Sequence, residues 1–311
     1  MDEHPTTGWL GAHLFYEGLI YSPSCDRVLI EVVEPFVRAA QSHGWVDRYF
    51  FIRYREHGSH VRLRLHGAAD VLENEVKPAL EEHVNVMSLL SSIRWVPYEP
   101  EFERYGGRRG VDLAETLFFR SSEAAFDIIR HLCDKERPSR LGKGLLAMLS
   151  ALHVFFPNSR TASSFASRYA AGYLSHLVRD DHRLVHALKT AFRKGYDRQA
   201  QTLSAYVETA WLCLNGSGAL PKDLHVYHEE LEAVQMQFDF LARHGLLLSP
   251  SGPFASPEAA ALRIVPSYLH MMSNRLGISI PEEAYLAHLI ASTLNRQAER
   301  SSLPVPTQLM T

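Results

Sequence analysis

Between residues 60 and 66 apolar and basic side chains alternate without a break. Val61, Leu63 and Leu65 take one parity, and His60, Arg62, Arg64 and His66 take the other. Alternation with period two predicts a strand whose apolar trio faces a core while the four basic residues face away from it. The flanking sequence continues in the same manner. Trp9 to Tyr16 is an apolar, aromatic run suited to a buried strand, and Ser24-Cys25-Asp26 supplies cap residues for a helix that runs to about Ser42 and stops at Gly44. Arg48 to Arg55 predicts a second strand, which Glu56-His57-Gly58-Ser59 turns back into the basic strand as a hairpin. Asp70 is placed to cap a helix to about Leu90, and Ser92 to Tyr98 makes a fourth strand, with Pro97 marking its end or an edge position.

The order strand, helix, strand, strand, helix, strand is that of the ferredoxin-like split βαβ arrangement, which covers one sheet face with helices and leaves the other free. Parity then puts Arg62 and Arg64 on the free face. From about Asp112 onward the spacing turns helical, with Val111, Leu113, Ala114, Leu117 and Phe118, then Phe126, Ile129, Leu132 and Cys133, recurring every three or four residues. Pro138, Pro157, Pro221 and the Ser249–Pro253 run break the helices. One helix is expected over His225–Leu247, with Glu229, Glu230 and Glu232 early and Arg243-His244 late, as its dipole favours. The expected fold class is α+β: an N-terminal ferredoxin-like βαββαβ sheet packed against a larger helical region. One domain is expected over 1–311, mainly sheet with two helices over 9–107, mainly helical over 108–300, with a flexible tail at 301–311.

Composition limits the function classes. With 311 residues, 46% hydrophobic, and a formal charge of -3, the chain reads as a soluble globular protein large enough for a sizeable core. The absence of a basic excess argues against wholesale nucleic-acid binding. No positive segment with an apolar core opens the chain, and no apolar run approaches the roughly 20 residues of a membrane span, so a cytoplasmic location is expected. Cys25, Cys133 and Cys213 lack paired spacing, which supports neither a disulfide framework nor a zinc site and leaves them as buried thiols. No phosphate-binding loop, dinucleotide fingerprint, His-Glu-x-x-His or nucleophile elbow is present, and no cofactor is expected.

The chemistry suggested by the residues is anionic. Two arginines at i and i+2 on a strand stand roughly 7 Å apart, close enough for both guanidinium forks to reach one substrate with two negative groups. Histidines flank the pair, and a face kept only for solubility would mix in acids. Arg104 lies in Glu101-Phe102-Glu103-Arg104-Tyr105-Gly106-Gly107, whose paired glycines mark a turn where backbone approaches something closely. In Ser267–Gly277, His270 and Asn274 share a helix face at i, i+4, with Gly277 as the stop. Three arginines, a histidine and a carboxylate describe a site for an anionic substrate with one titratable group, suited to proton transfer or elimination.

The Trp9-Leu10 opening strand, Phe51-Ile52-Arg53-Tyr54, His60-Val61-Arg62-Leu63-Arg64, Glu101–Gly107 and His270-Met271-Met272-Ser273-Asn274-Arg275 resemble, in the same order, the C-terminal domain of lantibiotic dehydratases. That domain also occurs as a free-standing protein in thiopeptide biosynthesis. The resemblance covers roughly residues 9–300. It implies an enzyme of peptide natural-product maturation that removes glutamate from glutamylated Ser or Thr of a precursor peptide, leaving dehydroalanine or dehydrobutyrine. A separate partner would attach the glutamate from glutamyl-tRNA. By the same match Arg62, Arg64, Arg104 and His270 are the expected catalytic residues, and Glu101, Asn274 and Tyr54 the expected substrate-binding ones. Direct contact with nucleic acid or membrane is not expected. Two other readings stand beside it. One is a [4+2] aza-cycloaddition that builds the pyridine of thiopeptides, and the other is a non-catalytic scaffold for the peptide, docked on the helix around Val234–Phe240.

Overall fold

Strands and helices follow one another in the N-terminal third as β1 (Thr7–Phe15), α1 (residues 23–42), β2 (Arg48–Tyr54), β3 (His60–Ala68), α2 (residues 69–85) and β4 (Ser92–Trp95). The computed structural model describes residues 6–132, 137–178 and 182–302. Within one sheet the strands lie in the order β2-β3-β1-β4, and every neighbouring pair is antiparallel. The register aligns Leu10, Ala12 and Leu14 of β1 with Leu65, Leu63 and Val61 of β3. All six are buried and share one face with Tyr49 and Phe51 of β2. The opposite face carries His13, His60, Arg62, Arg64 and His66, as the alternation requires.

Both helices of this region widen where a proline follows. In α1 a π-helical stretch, Val28–Val33, separates Pro23–Arg27 from Glu34–Ser42, and in α2 Leu72–Val76 separates Ala69–Val71 from Lys77–Asn85. Pro35 and Pro78 cannot donate to the carbonyl four residues back, and their rings crowd it. The ladder shifts by one residue instead: the N–H of Glu34 reaches Leu29 O and that of Lys77 reaches Leu72 O.

Several boundaries differ from those expected. The first helix begins at Pro23 after Ser22, and none of the expected cap residues caps it, because Asp26 is drawn into the interior. Asp70 sits in the first turn of α2 rather than at its cap, and α2 ends at Asn85, short of Leu90. Pairing in β4 stops at Trp95, just before Pro97. The expected His225–Leu247 helix spans Lys222–Arg243, because Gly245 takes a left-handed conformation. Cys25 is buried and Cys213 only half-buried, while Cys133 lies outside the described residues. So does the expected tail beyond residue 302.

The remaining elements are α3 (Phe102–Tyr105), α4 (Arg108–Leu132), α5 (Arg137–Phe155), α6 (Ser159–Val178), α7 (His182–Leu212, ending in a π-helical turn), α8 (Lys222–Arg243), a two-stranded ribbon β5–β6 (Leu248–Ser249, Gly252–Pro253), α9 (Pro257–Arg275) and α10 (Ile280–Ser302). The chain divides into two compact units, Met1–Gly144 with Pro221–Ser279, and Leu145–Leu220 with Ile280–Thr311. In the second unit α6 and α10 pack along alanine stripes, Ala162, Ala166 and Ala170 against Ala284, Ala287 and Ala291, all buried. Side chains this small bring the backbones close enough for Ser163 Oγ to donate to Ala291 O at 2.9 Å. Tyr169 donates to the buried Glu283 beside them.

In the first unit α4 straddles the outer edge of β2. Phe126 stacks on Phe51 at 5.0 Å on the helix-covered face, and Phe118 meets Phe50 at 5.3 Å on the other. The open edge of β2 is closed by side chains: Ser122 Oγ accepts from Phe51 N, and Asn274 of α9 both accepts from Arg53 N and donates to Arg53 O, each at 2.9 Å. These three bonds occupy ladder groups that an edge strand would otherwise offer to another chain.

Candidate active site

The face of the sheet that carries the arginines forms one wall of a cavity of about 540 Å³. Helix α9 lines it through His270, Met271 and Asn274, and the segment between β4 and α3 lines it through Val96, Tyr98, Glu101 and Arg104. Phe50, Phe118 and Ile52 make the apolar wall. All seven residues singled out from the sequence, Tyr54, Arg62, Arg64, Glu101, Arg104, His270 and Asn274, border this one space. Because side chains of a helix recur every three to four residues, Ser267, His270 and Asn274 lie along one stripe of α9.

The cations are held in different ways. Arg62 is half-buried, stacks its guanidinium on Tyr54 at 3.3 Å and pairs with Glu56 at 3.2 Å. Arg104 donates to Ser267 Oγ at 2.9 Å and to the exposed Glu101 carboxylate at 3.1 Å. Arg64 is only 6% exposed, and no carboxylate among the described residues pairs with it. It donates to Leu63 O and to His13 Nε2, and lies 5.7 Å from the Tyr98 ring. Burial, and then the neighbouring Arg62, push its guanidinium down to about 10, so it remains a cation at neutral pH. A buried guanidinium without an anion is costly to a fold, and an anionic ligand would remove that cost.

Two contributors, His13 and Gly11, were not visible in the sequence. His13 hides in the apolar run of β1, where both faces are buried and no alternation marks the polar residue. Burial first, and then Arg64, lower its imidazole to about 3, so it stays neutral and accepts from the guanidinium. His60 stacks on it at 4.6 Å and is held in one tautomer, with Nδ1 donating to Gly58 O and Nε2 accepting from Arg62 Nε. Gly11 is the other contributor. A Cβ there would stand 2.1 Å from Val96 O and 3.1 Å from Arg64 Nη1, so only glycine lets the strand edge and the guanidinium close in. Gly106 and Gly107, with φ of +88° and +86°, turn the chain between α3 and α4 as their pairing predicts.

Asn274 borders the cavity, yet its amide already bonds both backbone groups of Arg53. Arg53 itself follows the apolar parity of β2 and lies on the covered face, 1% exposed. There it donates to Asp26 at 2.7 Å, and Arg140 donates to the same carboxylate at 2.5 Å. Arg53, Arg140 and Arg137 also donate to the carbonyls of Arg275, Leu276 and Gly277, which end α9. Cations at a helix C-terminus satisfy its orphan carbonyls and oppose its dipole. This network therefore fixes the end of the helix that carries His270. Among the described residues no three His, Cys, Asp or Glu side chains are grouped as metal ligands would be, and no helix is long and apolar enough to cross a membrane.

A sequence model of the lantibiotic biosynthesis dehydratase C-terminal family matches residues 9–294. The chain belongs to this family. Within the family's reach, subtilin biosynthesis protein SpaB of Bacillus subtilis is 33% identical over 107 residues, which are 34% of this chain and 10% of SpaB. Among solved structures, the tRNA-dependent lantibiotic dehydratase MibB of Microbispora sp. 107891 superposes with a TM-score of 0.68 at 23% identity, covering 97% of this chain and 29% of MibB. TsrL gives a TM-score of 0.72 at 17% identity, covering 96% of this chain and 100% of TsrL. TbtD, the pyridine synthase of thiomuracin biosynthesis, gives 0.71 at 17% identity, covering 92% of this chain and 97% of TbtD. At these identities the three structures share the fold.

Proposed function

We propose that this member of the lantibiotic dehydratase C-terminal family eliminates glutamate from glutamylated Ser or Thr of a precursor peptide, giving dehydroalanine or dehydrobutyrine. The observation that carries the reading is Arg64, a buried cation without a carboxylate, sharing one cleft with Arg62, Arg104 and His270. In this reaction a base takes the Cα proton. The C–H electron pair becomes the Cα–Cβ double bond, and the Cβ–O pair leaves with the departing carboxylate. A carboxylate leaves readily, so the demand falls on the carbon acid and on the amide oxygen that gains charge beside it. His270 is assigned to the proton. Arg62 and Arg64 hold the free and departing carboxylates of the glutamyl group, and Arg104, oriented by Glu101, serves one of these or the amide oxygen. Tyr54 positions Arg62 through its ring, and Asn274 holds α9 against β2. A separate glutamylating protein supplies the ester. We also read the β2-β3-β1-β4 antiparallel sheet, with its two helical connections, as the ferredoxin-like arrangement.

The family reading has one competitor with an observation behind it. The chain covers nearly the whole of TbtD, a pyridine synthase, so a [4+2] ring closure between two dehydroalanines is the second reading. That chemistry has no leaving glutamate and no use for a cation as buried as Arg64. A peptide bearing glutamyl esters, followed by mass spectrometry, tests the assignment. Wild type is expected to release glutamate, leaving the peptide one water lighter per modified residue than its unmodified form, while His270→Ala and Arg64→Gln retain the adducts. If either variant eliminates at the wild-type rate, the residue assignment fails. If only a peptide with preformed dehydroalanines is changed, the ring-closure reading replaces it.

A further inference from the structure

Arg275 ends α9 with no exposed surface. Its Nε donates to Ser122 Oγ at 3.0 Å, but neither terminal nitrogen has a hydrogen-bond acceptor among the described residues. The titratable groups that act on it are uncharged phenols, Tyr105, Tyr227 and Tyr98, and no carboxylate among the described residues pairs with it. Its guanidinium carbon lies 4.8 Å from the Phe118 ring centre and 5.9 Å from that of Phe50. Aromatic faces return part of the cost of burying a cation. The rest is unpaid by any contact in the first unit, where a methionine of similar length would fill the space without it.

The location gives the charge a use. Phe50 and Phe118, the two rings against Arg275, belong to the apolar wall of the cleft, so the guanidinium packs against side chains that line the space where a ligand would lie without lining it itself. Arg62 and Arg104 are each offset by a glutamate, whereas Arg64 and Arg275 are not. Water does not screen a charge enclosed in this way, and its field passes through the rings into the cleft. We propose that Arg275 is a fixed cation of the anion site, raising the cleft's affinity for a dicarboxylate from behind the Phe50–Phe118 wall without touching it. Burial lowers its guanidinium to about 9, which leaves it charged at neutral pH. The inference rests on the proposed function for its ligand, glutamate.

Calorimetric titration of the full chain with L-glutamate at neutral pH, alongside melting temperatures, tests it. Arg275→Met is expected to weaken binding about tenfold, the order of effect of one charge at roughly 10 Å through an effective dielectric near 20, while melting no lower than wild type. Arg275→Lys, which restores the charge, is expected to recover most of the affinity. The inference is overturned if Arg275→Met binds glutamate as wild type does, if wild type does not bind it, or if Arg275→Met melts well below wild type and Arg275→Lys restores nothing. Elimination from a glutamylated peptide by wild type is scored separately. Elimination with unchanged Arg275→Met affinity sinks only this inference, and Arg275-dependent binding with the ester left intact sinks only the reaction.

Discussion

Asp26→Asn isolates the contribution of the anchor beneath α9. The substitution keeps the shape and removes one negative charge from a group with Asp26 6%, Arg53 1% and Arg140 8% exposed. Two guanidinium groups then lose their shared negative charge and face only neutral acceptors among the described residues, the carbonyls at the end of α9 and that of Ile20 beside the new amide. Breaking a buried pair by removing one partner costs roughly 3–5 kcal/mol. With a urea dependence of roughly 2–3 kcal/mol/M, that is a fall of about 1–2 M in the unfolding midpoint. Urea unfolding followed by tryptophan fluorescence reads it directly, since Trp9, Trp45 and Trp95 belong to the same unit. Adding Arg140→Met to Asp26→Asn removes one of the two orphaned charges and is expected to recover part of the loss. A single-variant midpoint within about 0.3 M of wild type refutes the argument, because it would mean that the carboxylate does not hold the arginines.

Further expectations concern the cleft. Gly11→Ala forces a Cβ into Val96 O, and overpacking of this kind costs about 1–3 kcal/mol; thermal melting and the elimination rate should fall together, and a rate unchanged at lowered stability would show that Arg64 has not moved. Arg64→Gln should lower the elimination rate by roughly 10²–10³, and Arg62→Gln by less, because Arg62 is half-exposed and already offset by Glu56; equal losses in single-turnover assays would contradict this ranking. His13 is neutral in the fold with its imidazole lowered to about 3 from 6.5, so the unfolded chain binds its proton first as pH falls. Its contribution to stability is whole above about pH 6.5 and is lost progressively toward pH 3. Denaturation midpoints for His13→Gln should therefore decline less over that range than those of wild type, and parallel slopes would remove His13 from the account.

The sheet and its basic face were legible because period-two alternation over residues 60–66 leaves parity no choice. The partnerships that close the first unit were not. Arg53 stands in a run with Arg48 and Arg55, and its parity with Phe51 places it on the apolar side, but nothing local names its partner. Asp26 has the composition of a cap, and only a partner 27 residues away turns it into a buried counter-ion. Asn274 shares its helix stripe with His270 and reads as a ligand contact, while its amide is committed to a strand edge. In each case the deciding neighbour is remote in sequence, and local pattern carries no trace of it.

The covered edge of β2 has a bearing on how the chain is made. The amide that completes it is 221 residues downstream of Arg53. At a synthesis rate of about 5–20 residues per second, some tens of seconds separate the emergence of the strand from the arrival of its cover. Ser122 of α4 reaches the flank at Phe51 earlier, but until α9 arrives the backbone groups of Arg53 stay bare and its guanidinium lacks the carbonyl it bonds at the end of that helix. Chaperone occupancy on the ribosome should accordingly begin as β2 emerges and end only after α9 has left the exit tunnel.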